Sequence, residues 1–272
     1  MSRGPRNAAV ARRPARRFPA RLALCALAVV SASSPLRAEL ELGLAFPPVR
    51  DAEQMAFSAR HLQALDVRLV RFDERWRHRE PQRGRFNWAP LDRRMDFVRE
   101  QGLSLLLTLE PNGPYWAVTP LRNERSAVFE DTRAFERYLV ALLRRHAASI
   151  DKIQFGNEWH ATYWYAGTAL DYVRFNNVLY RVVQQHCPDV DVVLGGISIG
   201  ALRTRAALDG RLDHCFDNKG RRIGGRALDA LRRSEWAAAF RRRIDIVLRE
   251  ADYDVLDLHL YDDAEAWPAM VA

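Results

Sequence analysis

Between residues 40 and 260 the sequence alternates six times between a short apolar run and a longer amphipathic or arginine-rich one. The short runs span 40–46, 67–72, 103–110, 150–156, 190–197 and 253–260. Between them, apolar residues recur at helical spacing over 50–65 (Met55, Leu62, Leu65), 91–101 (ended by Gly102), 129–148 (Phe135, Leu139, Leu142), 169–186 and 226–250. A long arginine-rich connection leads into the last of these. Strand followed by helix, repeated, specifies a parallel sheet covered by helices. A doubly wound sheet and a (β/α)8 barrel both satisfy that pattern. No Gly-x-Gly-x-x-Gly turn follows the first run, which counts against a dinucleotide-binding doubly wound sheet. The expectation is an α/β fold, a (β/α)8 TIM barrel over residues 39–272 with only strands 1–6 present in this chain.

Side chains alternate between the two faces of a strand. In a barrel one face meets the helices and the other fills the centre. In the third strand Leu103, Leu105, Leu107 and Leu109 share the apolar face, so Ser104, Leu106, Thr108 and Glu110 point inward. In the fourth, Ile153 and Phe155 face the helices, while Gln154, Gly156 and Glu158 point inward. In the sixth, Asp257, His259 and Tyr261 oppose Leu256, Leu258 and Leu260. Three strands thus send polar groups inward at their C-terminal ends, where barrel enzymes carry their chemistry. Buried polar groups cost free energy unless paired, so a purely structural barrel has little use for them. Strict alternation turns Asn157 away from the face of Glu158; both serve one site only if the strand bends or ends there.

The formal charge of +8 points at first to a nucleic-acid partner. Residues 1–38, however, hold eight arginines and no acid, which leaves the remainder neutral. A nucleic-acid footprint needs clustered charge on the folded part, so none is expected. The arginines, an apolar run over 22–30 and small residues before Ala38 read as a signal peptide cut after Ala38. The apolar run is too short to span a bilayer as a mature helix, so no stable membrane association is expected after cleavage. An uncleaved envelope anchor is the competing reading. The expected location is secreted or periplasmic. The arginine pairs at 12–13 and 16–17 permit twin-arginine export. No His-Glu-x-x-His and no close His/Cys cluster occurs, so neither metal nor cofactor is expected. Arg241, Arg242 and Arg243 read as a solvated helix face.

The segment Arg71-x4-Trp76-x3-Glu80-Pro81-x2-Gly84-x-Phe86-x-Trp88-x2-Leu91-Asp92 resembles the second-strand region of clan A glycoside hydrolases. Asn157-Glu158 resembles the fourth-strand Asn-Glu of that clan, and His259-x-Tyr261 its sixth-strand end. Trp164, Tyr172 and Val192-Val193-Leu194-Gly195-Gly196 look most like family 39, with families 42 and 5 near. The resemblance covers residues 39 to 262. It implies retaining hydrolysis of O-glycosidic bonds in a poly- or oligosaccharide, hence a carbohydrate substrate. It makes Glu158 the acid/base and Asn157 a partner of the sugar 2-hydroxyl. Arg71 would orient the nucleophile and Tyr261 would contact the same carboxylate.

A general acid must be protonated at working pH, so Glu158 is expected in a site that disfavours its charge. His259 reads as a hydrogen-bonded site residue. Trp116, with Tyr115 after the third strand, reads either as a sugar-stacking platform or as loop packing. The clan's nucleophilic Glu ends the seventh strand, and no residue of this chain matches it. Glu110 points into the same mouth and Glu265 reads as a residue of the following helix. The alternative function is therefore a catalytically incomplete barrel that binds carbohydrate or is inert.

Overall fold

The computed structural model describes residues 41–111, 113–118, 130–261 and 264–272. The leader expected over 1–38 and the first residue of the helix expected from 129 lie outside the described residues. The strands are β1 (Gly43–Ala45), β2 (Leu69–Arg75), β3 (Ser104–Glu110), β4 (Lys152–Phe155), β5 (Asp191–Ser198), β6 (His214–Phe216), β7 (Arg222–Gly224) and β8 (Val255–His259). Six of them form one sheet in the order β1-β2-β3-β4-β5-β8, with every neighbouring pair parallel. The order never reverses, whereas a doubly wound sheet reverses at its switch point. The sheet also curls. On a flat sheet β2 and β8, four strand spacings apart, would lie about 19 Å from each other. Yet Arg71 Nη1 on β2 stands 3.6 Å from Asp257 Oδ2 on β8. The fold is a six-stranded portion of a (β/α)8 barrel.

The helices are α1 (Ala52–Ala64), α2 (Trp76–Arg79), α3 (Ala89–Glu100), α4 (Thr132–His146), α5 (Ala169–His186), α6 (Ile199–Leu208), α7 (Gly225–Arg232), α8 (Glu235–Glu250) and α9 (Trp267–Val271). Side-chain caps start most of the long ones. Asp51 accepts from Gln54 N, Asp131 from Ala134 N, and Thr168 with Asp171 closes a capping box on α5. Leu105, Leu107 and Leu109 of β3, with Ile153 and Phe155 of β4, are fully buried on the helix side, as their alternation predicts. Phe135 of α4 meets Phe155 and Phe175 of α5 at 5.6 Å each. Each such side chain contributes roughly 1.5–3 kcal/mol by leaving water. Among the described residues no helix is long and apolar enough to cross a membrane.

Several sequence expectations are corrected. β2 runs to Arg75 rather than ending at 72, because Asp73, Glu74 and Arg75 stay in register with Thr108, Leu109 and Glu110. The charge of Glu74 on the buried face is met by Arg79 Nε at 2.5 Å and Arg94 Nη1 at 3.3 Å. The arginine-rich connection contains α6 and an antiparallel β6–β7 hairpin. The single helix expected over 226–250 is two, because Ser234 caps α8 by accepting from Ala237 N at 3.1 Å. The Arg241–Arg243 run is not simply a solvated face. Arg241 donates to the Leu208 carbonyl and to Asp209, and Arg243 is half-buried and donates to backbone carbonyls.

Gly195 and Gly196 sit where the β5–β8 register shifts between Leu194 and Ile197. A Cβ on Gly195 would lie 2.6 Å from Tyr172 Oη and 2.8 Å from the Phe155 carbonyl oxygen. Tyr172 bridges the two strands there, donating to Phe155 O at 2.7 Å and accepting from Gly195 N at 3.1 Å. Gly195→Ala is therefore expected to cost about 1–3 kcal/mol by overpacking, read as a lower urea midpoint at unchanged slope. An unchanged midpoint would show that this bridge yields freely.

Candidate active site

β4 ends at Phe155, two residues before Asn157, and the chain turns sharply. Gly156 has φ +73° and Glu158 φ +43°. The left-handed region suits glycine but costs a residue bearing a Cβ about 1–2 kcal/mol. The strain brings both neighbours into one mouth: Asn157 and Glu158 line the same cavity, of about 390 Å³. The bend that alternation required is present.

Around that cavity the inner faces of the strands form a ring of three hydrogen bonds closed by one ion pair. Arg71 Nε donates to Thr108 Oγ1 at 2.9 Å, and Thr108 donates to Gln154 Oε1 at 3.0 Å. Gln154 Nε2 donates to Asp257 Oδ2 at 2.8 Å, and Asp257 closes the ring on Arg71. Arg71 Nη2 also donates to Asn157 Oδ1 at 3.0 Å. His259 stands between two carboxylates, with Nδ1 2.8 Å from Glu158 Oε1 and Nε2 3.2 Å from Asp257 Oδ2. Trp164 Nε1 donates to the other oxygen of Glu158 at 3.0 Å. Tyr261, 81% exposed, is at the rim with its ring 5.9 Å from that of His259.

These contacts correct one expectation. The hydrogen bond from His259 holds the Glu158 carboxyl below its ordinary value despite partial burial. Glu158 is thus ionised in this environment rather than held protonated. The hydrogen bonds to Asp257 and Glu158 push His259 up to about 9, so it is an imidazolium donating from both nitrogens. Burial raises Asp257, but the bonds from His259 and Gln154 win and it stays low. His160, whose Nε2 is 2.9 Å from Ser198 Oγ, is pushed down to about 4 by burial and is neutral.

Three mouth residues escaped the sequence reading or were given other parts. Asp73 lies just beyond the apolar run taken to end at residue 72, so its inward orientation went unnoticed. Burial, then the charge of Glu110, pushes its carboxyl up to about 6. Glu110 does point into the mouth, but Arg75 grips both its oxygens at 2.7 and 2.8 Å. Trp164 is the third. Trp116 is not among the residues lining the cavity. Its ring meets Trp76 edge-on at 5.5 Å, lies under Arg83, and donates to the Glu80 carbonyl at 3.2 Å. It packs the loop after β2. Glu80 belongs to the same loop: its carboxylate accepts from Trp76 Nε1 and Gly84 N, both at 2.7 Å. Glu265 is exposed on a 3₁₀ turn before α9. Among the described residues no group of three or more His, Cys, Asp or Glu is placed to hold a metal ion.

No family model and no curated protein matches the chain. Its structure is similar to solved clan A glycoside hydrolases, the clan that the sequence resembles. One is a family 39 glycoside hydrolase from the gut symbiont Bacteroides cellulosilyticus WH2, at 17% identity and TM-score 0.48, over 62% of this chain and 35% of that one. Another is a GH5_18 structure from Bifidobacterium longum subsp. infantis, at 17% identity and TM-score 0.47, over 61% and 47%. A third is a psychrophilic family 10 endo-β-1,4-xylanase, at 12% identity and TM-score 0.45, over 80% and 72%. The chain spans about a third to a half of the length of the first two.

His259 generates a pH prediction. Its folded value lies above the ordinary 6.5, so its contribution to stability is fully present below that pH and is lost as pH rises through about 9. Between pH 7 and 10 the urea unfolding free energy of the wild type should fall by as much as about 3 kcal/mol more than that of His259→Gln. Parallel curves would mean that the imidazole is not held charged.

Proposed function

We propose that the chain carries the acid/base side of a retaining glycoside hydrolase that cleaves O-glycosidic bonds of a poly- or oligosaccharide, with Glu158 as acid/base. One observation carries the reading: a strained turn directly after β4 delivers Glu158 into the cavity where Asn157, Arg71, His259 and Tyr261 converge. The sequence resemblance assigns the same residues to the same chemistry. The balance of charge outside residues 1–38 argues against nucleic acid, and the leader over those residues supports action in the periplasm or outside the cell.

The chemistry needs Glu158 in two states. In the first step it protonates the departing oxygen; in the second, ionised, it takes a proton from water. His259 and Trp164 stabilise the second state. The first state needs a counteracting charge. Retention requires a second carboxylate about 5–5.5 Å away, and a like charge at that distance raises the pKa of Glu158. Among the described residues Glu110 does not fill that role, because Arg75 and Asp73 already engage it. Asn157, anchored by Arg71, offers its amide N–H to a sugar hydroxyl beside the reacting bond.

The commitment of Glu110 to Arg75 also favours a second reading, in which the chain binds carbohydrate without turnover. Aryl β-glycosides separate the two. Under the first reading the wild type releases the aryl alcohol, and Glu158→Gln, with unchanged circular dichroism, does so about 10²–10⁴-fold more slowly when the leaving group is poor. Equal rates would remove Glu158 from the mechanism. Saturable binding with no release by the wild type would establish the second reading.

A further inference from the structure

Glu158 and Trp164, its hydrogen-bond donor, both stand on the loop between β4 and α5. Nothing in their own side chains explains why the backbone holds the left-handed turn. The loop is restrained from two sides. On the barrel side, Trp159 Nε1 donates to the Gly195 carbonyl at 2.8 Å. On the other side, Arg243 reaches in from α8. Its Nη1 donates to the Gly167 carbonyl at 2.8 Å, and its Nη2 donates to Trp159 O at 2.7 Å and Tyr165 O at 3.3 Å. Trp159 directly follows Glu158, and Tyr165 directly follows Trp164. One guanidinium thus grips the carbonyls of the residues that directly follow Glu158 and Trp164.

The choice of arginine is costly for stability alone. Arg243 makes no ion pair with a carboxylate among the described residues, and its Nε is buried with no hydrogen-bond partner. Drawing a cation part-way out of water with no carboxylate beside it is unfavourable, and three carbonyls offset only part of that. A planar fork of five N–H donors can span three divergent carbonyls, which a lysine ammonium on a flexible stem cannot do. Arg243 also adds positive charge beside His160, which burial already keeps neutral. His259 is then the cation that hydrogen-bonds Glu158.

We propose that Arg243 is a positioning residue: it fixes the β4–α5 loop so that the Glu158 carboxylate meets His259 and Trp164 at the cavity. That this carboxylate is catalytic rests on the reading above; that Arg243 places it does not. The two parts therefore need separate readouts.

The first readout is the titration of the His259 imidazole in the full chain, followed by ¹H–¹⁵N spectra and needing no substrate. Glu158→Gln sets the drop in the His259 midpoint that accompanies loss of this carboxylate. Arg243→Ala should reproduce most of that drop, and added guanidinium ion should reverse it. Arg243→Lys, which keeps the charge without the fork, should behave like Arg243→Ala. Arg241→Ala, on the same helix but donating to Leu208 and Asp209, should leave the midpoint where the wild type has it. A folded Arg243→Ala or Arg243→Lys with the wild-type midpoint would overturn the proposal, as would failure of both variants to fold, which would make Arg243 structural. The second readout is turnover of an aryl glycoside, in which Arg243→Ala should lower kcat about a hundredfold with KM little changed. A wild type that fails to turn over sinks the hydrolase reading and leaves the imidazole result to decide on Arg243.

Discussion

Asp257 is the group on which the interior of the sheet depends. A guanidinium and an imidazolium facing inward from β2 and β8 are affordable only if a carboxylate stands within reach of both, since buried charge without a partner is the costliest thing a core can hold. Asp257 Oδ2 receives Gln154, His259 and Arg71 within 3.6 Å. It thereby links β2, β4 and β8 across the hollow of the curl. The contact exists only because the sheet bends, and the bent sheet tolerates Arg71 only because the contact exists. Removing Asp257 would leave Arg71 and His259 without the carboxylate they share.

From that pivot outward, the arrangement passes from rigid strand to strained loop. Gln154 and Thr108 are fixed by backbone ladders on both sides, so their side chains have little freedom to lose. Glu158 has no ladder. Its position comes from a left-handed turn made possible by Gly156 and from restraints on the peptides that follow. Tyr172 contributes indirectly by joining Phe155 O to Gly195 N, so the strand from which the loop departs cannot drift from β5. The Glu158 carboxylate is thus held twice, by the backbone of its loop and by donors on both of its oxygens, His259 and Trp164.

The alternation of segments made the barrel legible, and period-two reading correctly oriented Leu105, Leu107, Thr108, Gln154, Asp257 and His259. It failed where charge and strand coincide. Asp73-Glu74-Arg75 looks like a turn because charged residues seldom sit in sheets, yet Arg79 and Arg94 arrive from helices to neutralise Glu74. Partners distant in sequence are invisible to local patterning. The same limit hid the role of Arg243, whose carbonyl acceptors lie 76 to 84 residues away. The part of the resemblance from Trp76 to Asp92 proved to be largely scaffold. Glu80 folds its own loop and Asp92 takes Arg145 in a two-pronged pair. A motif can identify a fold through residues that never meet the substrate.

The mouth also balances its charge in a way that no single residue reveals. Four carboxyls line or adjoin it, Asp73, Glu110, Glu158 and Asp257, against three cations, Arg71, Arg75 and His259. Arg75 takes Glu110, His259 takes Glu158, and Arg71 joins His259 on Asp257. Asp73 is the carboxyl left over, and burial beside Glu110 disfavours its ionisation. With Asp73 protonated the cluster is neutral; with Asp73 ionised it carries one negative charge inside a partly desolvated cavity. The pKa of about 6 is where those two states balance. Glu158 and Asp257 lie low and His259 lies high, whereas the charge of Asp73 changes between mild acid and neutrality. The charge that Glu158 experiences from across the cavity therefore depends on a residue two strands away.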